Sequence, residues 1–134
     1  MQSVSSNAVY NAISMKNTEH QVGSWLGIPM YEKTIKVNIP TYTTQTYSTS
    51  SGTGVTGIVS VVDIRGICIK GSYSNPTWAM VVPYTFMSSN LYLNIYIYYN
   101  PAGNSFQITV GGTYQSGYYS GCELYITFKY VKST

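Results

Sequence analysis

The chain has 134 residues, of which only 8% are charged, against roughly 25% in an average soluble domain. Its formal net charge of +3 comes from scattered bases, and a nucleic-acid partner is not expected because several phosphates must be neutralised together. No segment reaches the roughly 18 consecutive apolar residues that span a membrane, so membrane insertion is not expected either. The length predicts one main domain.

Uncharged polar residues and tyrosines are expected to form much of the surface. Aromatic residues make up 15% of the chain, and tyrosine alone supplies 15 residues. A surface of this kind has little electrostatic repulsion to keep copies of the chain apart. The composition therefore favours a component of a larger assembly over a freely diffusing enzyme.

One short helix is predicted, in residues 3–14. Its start carries three residue types that cap helices, which are Ser5, Ser6 and Asn7. A narrow apolar stripe follows, formed by Val9, Ala12 and Ile13. A helix of about ten residues is shorter than the roughly 12–15 residues that are marginally stable alone in water. It must pack either on its own β domain or on neighbouring copies, and we predict a homotrimer contact through this stripe.

Three motifs follow one another from the predicted helix onward: S-N-A-V-Y, then T-E-H-Q-V-G-S-W, then P-M-Y-E-K-T-I. Together they resemble a module near the C-terminus of bacteriophage tail-fibre and related virion proteins. The matching positions are Ser6, Asn7, Ala8, Val9, Tyr10, Thr18, Glu19, Gly23, Trp25, Pro29, Tyr31, Lys33 and Thr34. The closing residues 124–132 are also similar to the last strand of that family. The chain departs from the family at residues 26–28, where a D-G-K-type turn is usual.

The resemblance implies a virion protein of a phage tail fibre or another surface appendage, assembled in the host cytoplasm beside other virion proteins. It covers both ends of the chain, about a third of its length, and it does not identify a ligand. Two functions are compatible with it. The first is attachment to a bacterial surface glycan or protein, and the second is a purely structural trimerisation or decoration module.

Alternating apolar residues predict a series of β-strands after the helix. The predicted segments are 20–25, 30–39, 57–64, 67–73, 78–86, 91–99, 106–110 and 122–130. Residues 40–56 fit either a mobile loop or an edge strand, and a turn is predicted near Arg65 and Gly66. We therefore predict an all-β fold, an antiparallel, jelly-roll-like β-sandwich over residues 17–134, preceded by the short helix in residues 1–16.

The alternation also assigns faces. Six residues are expected to be nearly inaccessible: Leu93, Ile95, Ile108, Leu124, Ile126 and Phe128. Glu32 and Thr34 are assigned to a solvent-facing side, and Trp25 and Trp78 are expected in the core. The two cysteines, Cys68 and Cys122, are interpreted as free thiols, with a single disulfide as the alternative if their strands pair.

Catalysis has little support in the sequence. His20 is the only histidine, and Glu19 lies on the opposite face if both are in a strand. The other carboxylates, Glu32, Asp63 and Glu123, lie among strand residues, where a solvated face or an isolated ion pair is the better interpretation. We predict a protein that is not an enzyme, and we expect no cofactor and no metal site.

Binding has better support, in the glycine-rich loop of residues 111–121. Its predicted ligand-contacting residues are Tyr114, Gln115, Tyr118 and Tyr119. Tyrosine rings stack on the apolar faces of sugars, while hydroxyl and amide groups hydrogen-bond the polar edges. For a second tyrosine-rich face, formed by Tyr92, Tyr96 and Tyr98, a subunit interface is the preferred interpretation.

Overall fold

The protein is described by a computed structural model that covers residues 17–133. This range contains nine strands and no helix: β1 (His20–Trp25), β2 (Ile28–Asn38), β3 (Thr46–Gly52), β4 (Ile58–Ser72), β5 (Asn75–Val82), β6 (Tyr84–Ser88), β7 (Leu91–Asn100), β8 (Ser105–Gly111) and β9 (Glu123–Lys132). The predicted helix and its contact residues Val9, Ala12 and Ile13 lie outside the described residues.

The nine strands form two antiparallel sheets that enclose one apolar core, so the predicted antiparallel β-sandwich is confirmed. Sheet A has the strand order β1-β2-β9-β4-β5, and sheet B has the order β3-β8-β7-β6. Strand β9 therefore lies at the centre of sheet A, with β2 on one side and β4 on the other.

The core is built from the inward-facing residues of both sheets. The six residues predicted to be nearly inaccessible are each at most 5% exposed, which confirms that prediction. Phe106 of sheet B packs edge-on against Phe128 of sheet A, with ring centroids 4.8 Å apart. This contact joins the two sheets at the centre of the molecule.

Residues 40–56 supply the edge of sheet B. Strand β3 pairs with β8 from Thr46 to Gly52, so the edge-strand alternative is the correct one. The alternation of apolar residues is weak in β3, because Tyr47 is the only large apolar side chain on its inward face, where it lies opposite Val110.

The turn predicted near Arg65 and Gly66 is wrong, because β4 is one continuous strand of 15 residues. Gly66 occupies the middle of this strand, where a Cβ atom would lie 2.9 Å from the Val82 Cβ and 3.1 Å from the Ile97 Cδ1. The glycine therefore marks a close approach between the two sheets, which is one of the uses of glycine inside strands.

The outer face of sheet A is less exposed than the alternation suggests. Glu32 and Thr34, assigned to solvent, are 6% and 4% exposed. The Arg65 guanidinium donates to Glu32 Oε2 over 3.2 Å, and His20 Nε2 lies 3.6 Å from Glu32 Oε1. Longer side chains on neighbouring strands thus cover a carboxylate that alternation alone places at the surface.

Trp25 was predicted in the core but is 45% exposed. It ends β1 opposite Ile28, across a two-residue turn formed by Leu26 and Gly27. Both turn residues have positive φ, +53° and +81°, as a tight hairpin turn of the I′ kind requires. The tryptophan is exposed because it ends β1, which forms an edge of sheet A beside β2.

Glu19 lies just before β1, and its carboxylate is hydrogen-bonded to residues of the last strand, β9. The Tyr130 hydroxyl donates to its Oε2 over 2.5 Å, and Lys132 Nζ donates to its Oε1 over 2.6 Å. Burial raises the pKa of Glu19, but the hydrogen bonds from Lys132 and Tyr130 outweigh it and hold the pKa below the ordinary value of 4.5.

A carboxylate with a lowered folded-state pKa stabilises the protein above its ordinary pKa, and this stabilisation is lost as pH falls through the folded-state value. We therefore expect Glu19→Gln to reduce the loss of stability below pH 4.5. Urea unfolding midpoints at about pH 7 and about pH 3 measure the effect. An equal acid-induced loss in the wild type and the variant would contradict this role for Glu19.

Candidate ligand-binding site

The glycine-rich segment forms a loop over residues 112–122 that closes one end of the sandwich. Backbone hydrogen bonds attach it to β7 and to the segment before β3: the Tyr114 amide donates to the Tyr92 carbonyl and the Gly117 amide to the Thr44 carbonyl, each over 3.0 Å. The Thr113 hydroxyl adds a contact by accepting from the Tyr92 amide over 3.0 Å. The loop is therefore held at several points along its length.

Two glycines allow the loop to approach its neighbours so closely. Gly112 has a φ of +146°, and a Cβ there would lie 2.3 Å from the Tyr92 carbonyl oxygen. Gly117 has a φ of +67°, and a Cβ there would lie 2.3 Å from the Tyr42 carbonyl oxygen. Any other residue would be strained in both its backbone and its contacts.

The fixed loop places its tyrosines beside aromatic residues from β5 and β6. Tyr118 stacks on Trp78 with centroids 5.9 Å apart and planes 15° apart. Tyr114 meets Tyr118 edge-on at 5.6 Å, and Phe86 meets Tyr114 edge-on at 6.4 Å. We name these four residues, Trp78, Phe86, Tyr114 and Tyr118, the aromatic cluster. Aromatic pairs with these geometries are favourable beyond the burial of their surface.

The four residues predicted to contact a ligand do not share one environment. Tyr114 is 46% exposed, Gln115 is exposed, and Tyr118 is half-buried against Trp78. Tyr119, in contrast, is fully buried. It is therefore removed from the contact set, because its ring points into the core and offers no surface to a ligand.

Tyr119 supports the site from below. Its backbone amide donates to the Tyr42 hydroxyl over 3.0 Å, and its ring meets both Trp78 and Tyr118 edge-on. Its hydroxyl lies 3.7 Å from the Met80 sulfur. Burial raises the pKa of Tyr119 well above its ordinary value, so the hydroxyl stays neutral within the core.

Two members of the aromatic cluster were missed by the sequence interpretation. Trp78 was assigned to the core, and Phe86 was seen only as part of an alternating strand. The available signal was Pro83, which separates β5 from β6 and passes the chain from sheet A to sheet B. Because of this crossing, Trp78 and Phe86 lie on neighbouring sheet edges, where the loop reaches both.

The aromatic cluster offers flat apolar surface with hydroxyl groups at its rim. Desolvation by burial raises the pKa of Tyr118, and the neighbouring Tyr114 adds to the shift, so the Tyr118 hydroxyl remains a neutral donor at physiological pH. Gln115 adds an exposed amide on the same loop. This set suits a ligand with both apolar faces and hydroxyl groups.

One charged group contacts the loop, because Lys70 Nζ donates to the Ser120 carbonyl over 2.7 Å, whereas the carboxylates considered for catalysis are held by bases. Glu123 Oε2 is 2.6 Å from Lys36 Nζ, and its Oε1 accepts from the Tyr73 amide. Asp63 Oδ2 lies 3.2 Å from Arg65 Nε, and Arg65 also holds Glu32. Each of the three carboxylates considered for catalysis thus has a basic partner. Within residues 17–133, no group of three or more His, Cys, Asp or Glu residues could hold a metal ion.

Cys68 and Cys122 are free and buried, which confirms the prediction of free thiols. The two thiols share a hydrogen bond, which together with burial raises the pKa of Cys68. The same hydrogen bond lowers the pKa of Cys122, against the opposing effect of burial. Both belong to the apolar core beneath the loop.

The described residues contain no helix that is long and apolar enough to cross a membrane. Comparison of the chain with protein-family models, with curated proteins and with solved structures gives no match. The function must therefore be argued from the aromatic cluster, from the composition, and from the sequence motifs at the two ends of the chain.

Proposed function

We propose that the chain is the distal domain of a phage virion fibre, a non-catalytic module that attaches as a homotrimer to a host cell-surface receptor, a glycan. The observation that carries the proposal is the aromatic cluster. Tyr114 and Phe86 remain exposed at one end of the sandwich although large apolar side chains are preferentially buried. The loop that presents Tyr114 is fixed in place by the backbone contacts described above.

A glycan fits this surface better than a charged ligand. Sugar rings have apolar faces that stack on aromatic rings, and hydroxyl groups that pair with tyrosine hydroxyls and amides. The cluster itself contains no charged residue, and the nearby carboxylates are neutralised by their own basic partners. A neutral surface polysaccharide needs nothing more than these groups for recognition.

The trimer and the virion location rest on the sequence. The S-N-A-V-Y motif and the stripe of Val9, Ala12 and Ile13 support the trimer, and the low charge supports assembly with other virion proteins. Three copies of a weak site gain avidity when they engage one surface together. Light scattering at micromolar concentration measures the oligomeric state, and a stable monomer would contradict the trimer.

The jelly-roll likeness is also a proposal. The nested pairing of β2 with β9 and of β3 with β8 supports it, since strands from the two ends of the chain pair in that order. The inner part of the chain differs, because β4 pairs with β5 and β6 pairs with β7 as local hairpins. We describe the fold as jelly-roll-like at its ends only.

The alternative function is a structural trimerisation or decoration module without a receptor site. The observation in its favour is the outer face of sheet B, where Tyr92, Tyr96 and Tyr98 are exposed. Tyrosine is enriched and charged residues are depleted in the centres of protein interfaces.

Cell binding tests the proposed function. The fluorescently labelled protein is incubated with a broad panel of bacterial strains, beside a variant carrying Tyr114→Ala and Tyr118→Ala. We expect the wild type to bind at least one strain and the variant to bind it at least about tenfold more weakly, because two stacking rings are lost. Tyr73→Ala is the control, because Tyr73 is also an exposed tyrosine but lies in the turn between β4 and β5.

Equal binding by the wild type and the double variant would move the site away from the aromatic cluster. No binding to any strain by either protein would favour the structural alternative. Sedimentation and circular dichroism of each variant ensure that the assembly and the fold are unchanged.

A further inference from the structure

The charged residues are distributed unequally between the two sheets. Within residues 17–133 nine charged side chains lie on strands of sheet A, and Glu19 directly precedes β1. The four strands of sheet B carry none. Exposed sheets normally carry charges, which keep proteins soluble and prevent sheets from associating. The outer face of sheet B must therefore use its uncharged groups for another purpose.

This outer face combines a row of tyrosines with hydrogen-bonding side chains. Tyr92, Tyr96 and Tyr98 alternate with inward residues along β7, and all three are at least 38% exposed. On the adjacent strand β8, Thr109 lies opposite Tyr96 and Gln107 lies opposite Tyr98. Each of these two rings thus has a hydroxyl or an amide directly beside it.

The polar neighbours decide between a second copy of the chain and a carbohydrate as the occupant. The outward residues are mostly polar, comprising Ser48, Ser50, Thr85, Asn94, Gln107 and Thr109, and the aliphatic contribution is a single methionine, Met87. Ser48 is hydrogen-bonded to Thr109, and Gln107 Nε2 donates to Ser105, each over 3.2 Å, but each hydroxyl and amide keeps a further donor or acceptor. A second copy would have to bury these remaining groups, and buried polar groups without partners cost free energy. A sugar chain brings its own hydroxyl groups as partners.

We infer that the outer face of sheet B binds an extended, neutral polysaccharide along β7, an inference that deepens the proposed function and rests on it. Sugar rings stack on Tyr92, Tyr96 and Tyr98, while Thr109 and Gln107 pair with their hydroxyl groups. The complete lack of charge on this sheet matches an uncharged chain. For this face, we thus infer a polysaccharide site where the sequence interpretation preferred a subunit interface.

The row of Tyr92, Tyr96 and Tyr98 begins beside the aromatic cluster and extends away from it along β7. The Tyr92 carbonyl accepts the hydrogen bond from the Tyr114 amide, so the two surfaces meet at this end of β7. Strand geometry places Tyr96 about 13 Å and Tyr98 about 20 Å from Tyr92 along the strand. The ligand class is therefore a chain of several sugar units, and a terminal monosaccharide would contact only part of the surface.

The test measures how affinity depends on the length of the sugar chain. The probes are dextran and mannan, each as the polymer and as its disaccharide, tetrasaccharide and hexasaccharide, titrated into the intact protein by calorimetry. We expect binding to at least one series, with affinity that rises with length. A variant carrying Tyr96→Ala and Tyr98→Ala should lose about tenfold in affinity for the hexasaccharide and the polymer, but should bind the disaccharide as the wild type does.

Two further variants separate this inference from the proposed function. Tyr114→Ala removes a ring of the aromatic cluster and should weaken the binding of every probe, whereas Tyr73→Ala, in the turn between β4 and β5, should weaken none. If Tyr114→Ala weakens binding but the Tyr96 and Tyr98 changes do not, the inference is wrong and the proposed function stands. If no probe binds the wild type although it binds bacterial cells, the inference is wrong and the proposed function stands; if it binds neither probes nor cells, both are wrong. If the Tyr96 and Tyr98 changes shift the sedimenting species to a smaller one, the face is a subunit interface.

Discussion

Phe128→Ala is expected to lower the free energy of unfolding by about 3–5 kcal/mol, the range observed for buried aromatic residues replaced by alanine. Phe128 is fully buried on the central strand β9. Its ring packs edge-on against Phe106 at 4.8 Å and stacks with Tyr130 at 5.1 Å. The substitution therefore leaves a cavity where the two sheets meet, and urea denaturation measures its cost.

Phe86→Ala is the matched control, since it removes the same side chain from a site that is 40% exposed. We expect it to cost about 1 kcal/mol, because the side chain is only partly buried and the site can relax. If the two substitutions cost the same, Phe128 is not at the centre of the core that this fold assigns to it.

The second large effect is expected at Gly117. Gly117→Ala should destabilise the protein by about 2–4 kcal/mol, because a left-handed backbone costs roughly 1–2 kcal/mol for a residue with a Cβ, and because that Cβ would lie 2.3 Å from the Tyr42 carbonyl oxygen. The loop must then move, and Tyr118 on the next position moves with it. The measurements are urea denaturation and tyrosine fluorescence of the folded protein.

Gly121 provides a control within the same loop. Its φ of +75° is close to the +67° of Gly117, but a Cβ at Gly121 meets nothing within 4 Å. Gly121→Ala should therefore cost only the backbone term, about 1–2 kcal/mol. The difference between the two variants isolates the clash with the Tyr42 carbonyl, and the absence of a difference would mean that the loop is not held against residue 42.

Much of the sandwich follows from the alternation of apolar residues. It is clearest in β7 and β9, where Leu93, Ile95, Leu124 and Ile126 face inward as predicted. These strands lie in the interior of their sheets, so one face of each is fully buried and the pattern has period two. Strand β3 lies at an edge and presents few apolar residues, and for that reason its boundaries could not be read from the sequence.

The errors in the fold come from residues whose surroundings depend on distant strands. Gly66 was interpreted as part of a turn because glycine is common in turns. The glycine is instead required inside the strand because Val82 of β5 and Ile97 of β7 approach it closely. Glu32 was assigned to solvent because it alternates with the apolar residues of β2, but Arg65 and His20 lie over it. Neither arrangement leaves a signal in the local sequence.

The site was only partly predictable for the same reason. The loop composition correctly indicated an exposed Tyr114, but it did not distinguish Tyr118 from Tyr119, since residues in an irregular loop have no period from which burial can be inferred. The ring of Tyr119 turns inward because its amide is fixed by the Tyr42 hydroxyl. That contact joins residues 77 positions apart in the chain.

The central position of β9 affects how the protein is made. In sheet A, β9 lies between β2 and β4. Each of these two strands therefore forms the backbone hydrogen bonds of one of its edges with β9. During translation those edges stay open until residues 123–132 have left the ribosome, so β1 to β8 cannot complete the sheet as they emerge. A premature stop codon before residue 123 would thus remove the middle of the sheet and leave no folded fragment. Ribosome-bound chains of increasing length should gain protease resistance only once β9 is exposed.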